Sequence, residues 1–289
     1  MTNTRNQKME EVQNLLKTGV EKIQNSEEFK KYLTVMSKFH NYSLNNTLLI
    51  YLQNPNATAV AGFNKWKKDF HRTVKKGEKS IRILAPILKN KELLESDEND
   101  NQESKNENKI IVGYRPVPVF DISQTVGEEL PQAPKPIDLE GSYPLYEQNK
   151  NILKKLTGYE VVEAPREDGA DGSCNYETKI ISIQKNLSEF QKMKTLLHEC
   201  GHALLHGSLI NNDNLDSFEV EVMNNRHIRE VEAESVSFVV GQFLGFDSSE
   251  YSFNYIVNWS GKNEYLENSL KRIRNTANRI IDVLVKLGV

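Results

Sequence analysis

The chain has 289 residues and a formal net charge of -3 at pH 7, so it is long enough for two domains with separate cores. Because the overall charge is slightly negative, any affinity for nucleic acid has to come from a local patch. The two cysteines, Cys174 and Cys200, argue against a disulfide framework and for a reducing compartment. With no signal-peptide core and no apolar run near the roughly eighteen residues of a membrane span, we expect a cytoplasmic protein without membrane contact.

The N-terminal half begins with helical periodicity from about Lys8 to Phe39, followed by a short helix, SLNNTLLIYLQ, that stops at Asn54-Pro55. The period then changes to that of strands in KSIRILAPIL and KIIVGYRPVPVFDI. The acidic, apolar-poor residues 88–109 between these strands predict a disordered hairpin insertion. A proline-rich stretch, residues 128–143, predicts a linker between a domain at 1–127 and a domain at 144–289.

Basic residues are concentrated between Lys65 and Arg82, where eight of them stand against two acidic ones. Aromatic rings are interleaved with these charges. A single-strand binder uses cations for phosphates and rings for base stacking, each stacked base contributing about 1–3 kcal/mol. An alternative, in which Trp66 and Phe70 pack inward from a short helix, is left open by the sequence. The predicted contacts to single-stranded DNA are Lys65, Trp66, Lys67, Lys68, Arg72, Lys75, Lys76, Lys79 and Arg82.

The C-terminal half has the periodicity of helices near 144–156, 187–206, 227–244 and 262–287, with two strands, YEVVEA and TKIISI. The predicted fold class is therefore α+β, with a helical and β N-terminal domain and a mostly helical C-terminal domain that carries a small β-sheet. TKIISI, just before the helix at 187–206, is predicted to pair with an extended substrate by β-augmentation.

The helix at 187–206 contains HECGH, a metal-binding HExxH pattern within an apolar helical repeat. His198 and His202 are four residues apart, so both imidazoles lie on one face and are able to bind one zinc ion per chain. Glu199 lies beside them, in position to take a proton from a water whose pKa the metal lowers to about 7. Cys200 points elsewhere and is predicted to be a small packing residue.

A catalytic zinc needs a third protein ligand, and the helix at 227–244 offers glutamates for it. Glu230 followed by Glu234 resembles the ExxxD/E pattern of gluzincins, in which the first carboxylate binds zinc and the second supports a ligand histidine. Glu232 is rotated about 200° from Glu230 and is predicted to be solvated. His206, four residues after His202, is predicted to be an outer partner of the site or a cap of its helix. An acidic helix face is the plainer alternative for the glutamates.

The two halves together resemble a known family. The segments YSLNN, GFNKW, VKKGEKSIRILAP and VFDISQT resemble the N-terminal single-stranded-DNA-binding domain of ArdC-type antirestriction proteins. From about Tyr143 onward the chain is similar to the zincin-like metallopeptidases of the ImmA/IrrE group. The resemblance implies zinc ligation by His198, His202 and Glu230, a general base at Glu199, and a gene carried by a plasmid, conjugative element or phage. The chain departs from the family at Cys200 and in the acidic loop.

The leading hypothesis is a single-stranded-DNA-binding zinc metallo-endopeptidase with an antirestriction or DNA-protection role, acting on an unidentified protein substrate. The alternative is a non-proteolytic single-strand-binding protection protein whose zinc is structural or vestigial. Glu199 distinguishes the two, because a structural zinc site has no use for a general base. A nuclease fits poorly, since two-metal nucleases gather several carboxylates whereas HExxH supplies nitrogen ligands for one zinc.

Overall fold

The structure, a computed structural model, describes residues 2–90, 109–130, 142–210, 212–246 and 263–287, without the side chains of 2–5 and 90. It divides into an N-terminal unit, Met1–Gly19 with Asn45–Leu130, and a C-terminal unit, Val20–Leu44 with Pro131–Val289. The predicted α+β class is confirmed, with helices and antiparallel sheets in the first part of the chain and a mostly helical second part. No helix in these ranges is long and apolar enough to cross a membrane.

The secondary structure of the described residues follows the predicted order and adds several short elements. The helices are α1 (Thr2–Lys22), α2 (Ser26–Lys38), α3 (Leu44–Gln53), α4 (Phe63–Asp69), α5 (Tyr146–Thr157), α6 (Glu189–His206), α7 (Ser217–Asn224), α8 (Arg226–Phe243) and α9 (Asn263–Leu287). The strands are β1 (Val60–Ala61), β2 (Arg72–Val74), β3 (Ile81–Asn90), β4 (Lys109–Asp121), β5 (Thr125–Gly127), β6 (Glu160–Ala164), β7 (Gly172–Asn175) and β8 (Ile180–Gln184).

A long antiparallel hairpin of β3 and β4 dominates the N-terminal unit. β1 pairs with the other edge of β4, and β2 with β5 forms a separate two-stranded sheet. α3 is attached to β3 because the amide of Asn46 both donates to and accepts from the backbone of Leu84. Residues 91–108, which make up most of the predicted acidic insertion, lie outside the described ranges.

Asp121 organises the end of this hairpin. Its carboxylate is 1% exposed and accepts the backbone N–H groups of Thr58, Ala59 and Ser123 at 2.8, 3.1 and 3.0 Å. A buried carboxylate is tolerated when its oxygens are satisfied in this way. The VFDISQT segment is therefore a structural junction of the N-terminal unit.

The sheet of the C-terminal unit has the order β6-β8-β7, with β6 parallel and β7 antiparallel to β8. Both edges of β8, the TKIISI strand, are therefore occupied, and the prediction that it pairs with a substrate is wrong. The outer strand beside α6 is β7. Sequence alternation does not reveal β7 because it is only four residues long.

Glu163 of β6 attaches the sheet to two helices. It accepts hydrogen bonds from Tyr146 and Lys150 of α5 at 3.0 and 2.8 Å, and from Lys192 of α6 at 2.7 Å. Burial raises the pKa of this carboxyl, but the hydrogen bonds from Lys150, Lys192 and Tyr146 outweigh it and lower the pKa of Glu163 to about 2. The ionised carboxylate is thus part of the native packing.

Residues 20–44 pack with the C-terminal unit, although the expected boundary assigned them to the domain at 1–127. The helical periodicity predicted from about Lys8 to Phe39 is formed by α1 and α2, which are separated at Asn25, whose side chain caps α2 by accepting the N–H of Glu28 at 2.9 Å. Two side chains of α9, Arg274 and Asn278, donate to backbone carbonyls of residues 42 and 40 at 2.7 Å each. Residues 131–141 of the expected linker lie outside the described ranges.

Candidate metal centre and nucleic-acid surface

α6 presents the two histidines of the HECGH sequence. The helix starts at a capping box in which Ser188 accepts the N–H of Gln191, and the Gln191 side chain accepts the N–H of Ser188. Its 3.6-residue period stacks His198 and His202 on one face, with their Nε2 atoms 3.1 Å apart. The local sequence therefore suffices to pair these two nitrogens.

Close packing of α8 on α6 brings a carboxylate to the same point. Gly201 lies so near α8 that a Cβ built on it would be 3.0 Å from the Cα of Ala233. One turn earlier on α8, Oε2 of Glu230 lies 3.4 Å from Nε2 of His198 and 3.5 Å from Nε2 of His202. The absence of a side chain at Gly201 thus positions a third donor atom.

These three donor atoms fit one tetrahedral metal ion. Two ligands each about 2.0–2.1 Å from such an ion lie roughly 3.3 Å apart, and the observed separations are 3.1, 3.4 and 3.5 Å. Two imidazoles and one carboxylate are the set used by single-zinc hydrolases. His198, His202 and Glu230 are the group that could hold a metal ion within the described ranges.

The electrostatics of the cluster favours a positive charge at its centre. Burial opposes protonation of His198, but hydrogen bonds to Glu230 and Glu234 outweigh it and raise the pKa of His198 to about 10. Hydrogen bonds from His198 and His202 hold the pKa of Glu230 far below its usual range. A bound cation would supply the positive charge that these carboxylates favour.

Each ligand histidine has an outer partner on its Nδ1 atom. Nδ1 of His198 lies 3.0 Å from Oε2 of Glu234, and Nδ1 of His202 lies 3.2 Å from Nδ1 of His206. His206 is fully buried and is not a free helix cap. Occupying Nδ1 leaves Nε2 of both rings for a metal and fixes their orientation.

Glu232 lies where a solvated residue was expected, and that prediction is wrong. Its side chain is fully buried, and its Oε2 lies 2.9 Å from Nε2 of His206. The other oxygen accepts the hydroxyl of Ser269 and lies 3.3 Å from Nε of Arg272. Glu232 does point away from Glu230, as its rotation along the helix predicted, but that face of α8 is covered by α9.

Glu199 is buried beside the donor cluster, with 6% of its surface exposed. The edge strand β7 lies directly over it, since a Cβ built on Gly172 would be 3.0 Å from Oε1 of Glu199. Burial raises the pKa of Glu199, as a group that accepts and then returns a proton requires. Sequence reasoning had no signal for Gly172, because a lone glycine before a short strand is not distinctive.

A cleft of about 600 Å³ opens over the cluster and is lined by α6, α8 and β7. Three basic residues line it, Lys194, Arg226 and Arg229, and none of them stood out in the sequence. Nε of Arg226 lies 3.3 Å from Oε1 of Glu230, on the oxygen that does not face the histidines. Cys174 also lines the cleft, and burial raises the pKa of its thiol to about 12, which disfavours the thiolate at neutral pH.

The basic region of the N-terminal unit differs in part from the prediction. Trp66 is 1% exposed and its indole N–H donates to the carbonyl of Phe120 at 2.8 Å, so its ring is in the core and is not available to stack on a base. Its inclusion among the DNA contacts is wrong, because Trp66 lies on the inner face of α4 while the lysines of this helix are exposed. Phe63, at the start of the same helix, is 51% exposed.

Two of the predicted cationic contacts have side chains that hydrogen-bond within the N-terminal unit. Arg72 donates to Thr125, Gly127 and Glu128 in and after β5, and Lys75 donates to the carbonyl of Ser123 at 2.8 Å. The other basic residues that were predicted to contact DNA have exposed side chains, except Arg82, which is partly buried. This exposed set is Lys65, Lys67, Lys68, Lys76 and Lys79.

Comparison with known protein families finds two matches along the chain. Residues 2–120 match the N-terminal domain of anti-restriction factor ArdC, and residues 157–240 match the IrrE N-terminal-like domain, a peptidase family. The first match contains the exposed lysines of α4. The second contains the whole donor cluster together with Glu199.

Individual relatives extend over both matches. An uncharacterized protein of Bacillus anthracis is 27% identical over 317 aligned residues, covering 96% of this chain and 51% of that protein, so the chain spans about half the length of this curated relative. The metal-free crystal structure of the antirestriction protein ArdC from plasmid R388 has a TM-score of 0.52 at 17% identity, covering 86% of this chain and 87% of that chain. Its Mn(II)-bound structure has a TM-score of 0.49 at 15% identity, covering 84% of each chain. The chain therefore joins an N-terminal domain of the ArdC antirestriction type to an IrrE N-terminal-like domain.

Proposed function

We propose that this chain is a single-stranded-DNA-binding zinc metallo-endopeptidase. The observation that carries the proposal is the triangle of donor atoms from His198, His202 and Glu230, with the buried carboxyl of Glu199 beside it. A structural metal site is closed by protein ligands, whereas this one faces a cleft and leaves room for water and substrate. The first 120 residues, of the ArdC type, supply the DNA-binding half of the proposal.

The residues divide the work of peptide hydrolysis between them. Zinc bound by the three ligands would lower the pKa of a water molecule to about 7 and polarise a carbonyl. Glu199 takes the proton of the attacking water and returns it to the leaving amine, which its buried position and raised pKa favour. Glu234 holds the ring of His198 through Nδ1 and so keeps Nε2 directed at the ligand position.

The substrate is an extended segment of a protein. β7 is an outer strand that lines the cleft beside Glu199, and an outer strand offers backbone N–H and C=O groups to a peptide. Such pairing would hold the peptide bond above α6 without dependence on side-chain sequence. Selection of one protein target would then depend on the cleft residues beyond the strand.

The N-terminal unit would bind the strand through the exposed lysines of α4 and of the turn after β2. Lysines that contact phosphates give affinity for any sequence and a steep salt dependence. An antirestriction role, a gene on a plasmid or other mobile element, and a location in the reducing cytoplasm complete the proposal, supported by the ArdC-type domain and by two free cysteines.

The first experiment measures zinc content and oligonucleotide binding in one preparation. We expect about one zinc per chain, and tighter binding of a single-stranded than of a double-stranded oligonucleotide, weakening as salt rises. Zinc without strand binding would overturn the DNA half of the proposal. Strand binding without zinc would overturn the peptidase half.

A second experiment separates a peptidase from a protection protein with a structural metal. We expect Glu199→Gln to abolish cleavage of an unstructured peptide mixture, read by mass spectrometry, while zinc and DNA binding are retained. Glu177→Gln is the matched control, because this glutamate is exposed after β7 and does not line the cleft. Cleavage that persists in Glu199→Gln, or is absent from the wild-type protein, would favour the non-proteolytic alternative.

A further inference from the structure

A line of buried polar contacts leads away from the donor cluster into the core. Nδ1 of His202 faces Nδ1 of His206 at 3.2 Å, and Nε2 of His206 faces Oε2 of Glu232 at 2.9 Å. The far oxygen of Glu232 accepts the hydroxyl of Ser269 and is paired with Arg272 at 3.3 Å. The line crosses three helices, with its members on α6, α8 and α9.

The two ligand histidines are thus supported differently. His198 contacts a carboxylate, Glu234, directly and near the surface, where the Glu234 side chain is 27% exposed. His202 reaches a carboxylate only through a second imidazole, and both His206 and Glu232 are fully buried. Peptide hydrolysis itself does not require this longer connection through fully buried side chains.

Only one arrangement of protons satisfies every contact when Nε2 of His202 is a metal ligand. Nδ1 of His202 then carries a hydrogen, which it donates to Nδ1 of His206. His206 is consequently protonated on Nε2, where it donates to Glu232. Glu232 accepts as an anion, and Arg272 offsets its charge.

Arg272 anchors the outer end of this line to α6 as well. Its guanidinium donates to the carbonyl of Leu205 at 2.6 Å, the residue next to His206. The cation that pairs with Glu232 therefore also holds the backbone from which His206 extends. A shift of α9 would move the guanidinium, the carboxylate and the imidazole together.

We propose that His206 and Glu232 are positioning residues that hold His202 in the tautomer and orientation needed for metal binding, and that Ser269 and Arg272 make this dependent on the docking of α9. The inference rests on the proposed metal site. Outer partners of ligand histidines typically change metal affinity 10–100-fold. We therefore expect the zinc affinity to depend on residues of α9 that touch neither metal nor substrate.

The test measures zinc affinity by chelator competition and the visible spectrum of the cobalt-substituted protein, alongside thermal unfolding of the metal-free form. Glu232→Gln keeps the shape of the side chain but removes its charge. We expect its zinc affinity to fall about 10-fold or more and its cobalt spectrum to change. Ser269→Ala, a milder change, should lower the affinity about 3-fold and decides the question if Glu232→Gln does not fold.

Glu163→Gln is the matched control, since it also removes a charge from a partly buried polar network of the same unit, away from the cluster. We expect it to lower the unfolding temperature without changing zinc affinity or the cobalt spectrum. If Glu232→Gln and Ser269→Ala behave like this control, the line of buried polar contacts contributes only to stability and the inference is overturned. If the wild-type protein binds no zinc, the proposed function itself fails.

Discussion

The packing of α6 on α8 predicts that Gly201→Ala damages the metal site although residue 201 is not a ligand. A Cβ at this position would lie 3.0 Å from Cα, 3.2 Å from O and 3.3 Å from Cβ of Ala233. Carbon atoms prefer separations of about 3.5–4.0 Å. Because the atoms that it meets are mainly backbone, no side chain can rotate away, and the helices have to move apart by a few tenths of an ångström.

Two opposing effects set the stability change. Alanine in place of glycine favours a helix interior by about 0.5–1 kcal/mol, whereas overpacking of a well-packed contact costs about 1–3 kcal/mol. The net effect is a destabilisation of roughly 0–2.5 kcal/mol from these two ranges. Metal affinity should respond more strongly, because Glu230 lies one turn from Ala233 and ligand distances tolerate only about 0.2 Å. We expect zinc to bind at least about 10-fold more weakly.

The assay is a zinc titration against a competing chelator, with thermal unfolding recorded with and without zinc. Gly19→Ala in α1 is the matched control, because its Cβ would meet the end of the Leu52 side chain, which can rotate. This control should keep the zinc affinity of the wild-type protein. Unchanged zinc affinity in Gly201→Ala would refute the reasoning that the glycine sets the position of Glu230.

Three further predictions concern the two units separately. Phe63→Ala should weaken the binding of single-stranded DNA by about 1–3 kcal/mol without unfolding the protein, as measured by fluorescence anisotropy. Trp66→Ala should instead destabilise the folded protein by about 3–5 kcal/mol, as measured by thermal unfolding. The pKa of Glu163 is lowered to about 2 from 4.5. The difference in the free energy of unfolding between the wild-type protein and Glu163→Gln should therefore be constant above pH 4.5 and shrink as the pH falls toward 2. A difference that does not depend on pH would contradict this prediction. Removing residues 20–44 should leave the C-terminal unit less stable to urea than the full chain.

The part of the candidate site that was predicted from the sequence depends on the spacing of residues within individual helices. The period of α6 places His198 and His202 on one face of the helix, and Glu199 lies between them in the sequence. Glu230 and Glu234 lie on a second helix, α8. Their spacing places both side chains on one face, and the resemblance to the gluzincin pattern implied that Glu230 is a ligand. Sequence periodicity gives such relations within an element without knowledge of what packs around it.

The missed features depend on neighbours that are distant in sequence. β7 is recognisable as a strand only through its pairing with β8, and Gly172 only through the nearness of Glu199. Trp66 among lysines has the composition of a stacking surface, yet the carbonyl of Phe120 far along the chain holds its indole in the core. In each case a tertiary contact overrode the local pattern.

Glu232 shows most clearly why direction on a helix does not determine environment. The side chain points away from Glu230, as the helical angle requires, but α9 covers that face and supplies Ser269 and Arg272 as partners. Breaking a buried pair of this kind costs about 3–5 kcal/mol, whereas exposed carboxylates cost far less to remove. Substitutions of α8 glutamates should therefore divide by face: Glu234, partly exposed, affects chiefly the metal, and Glu232 affects the metal and the packing of α9 together.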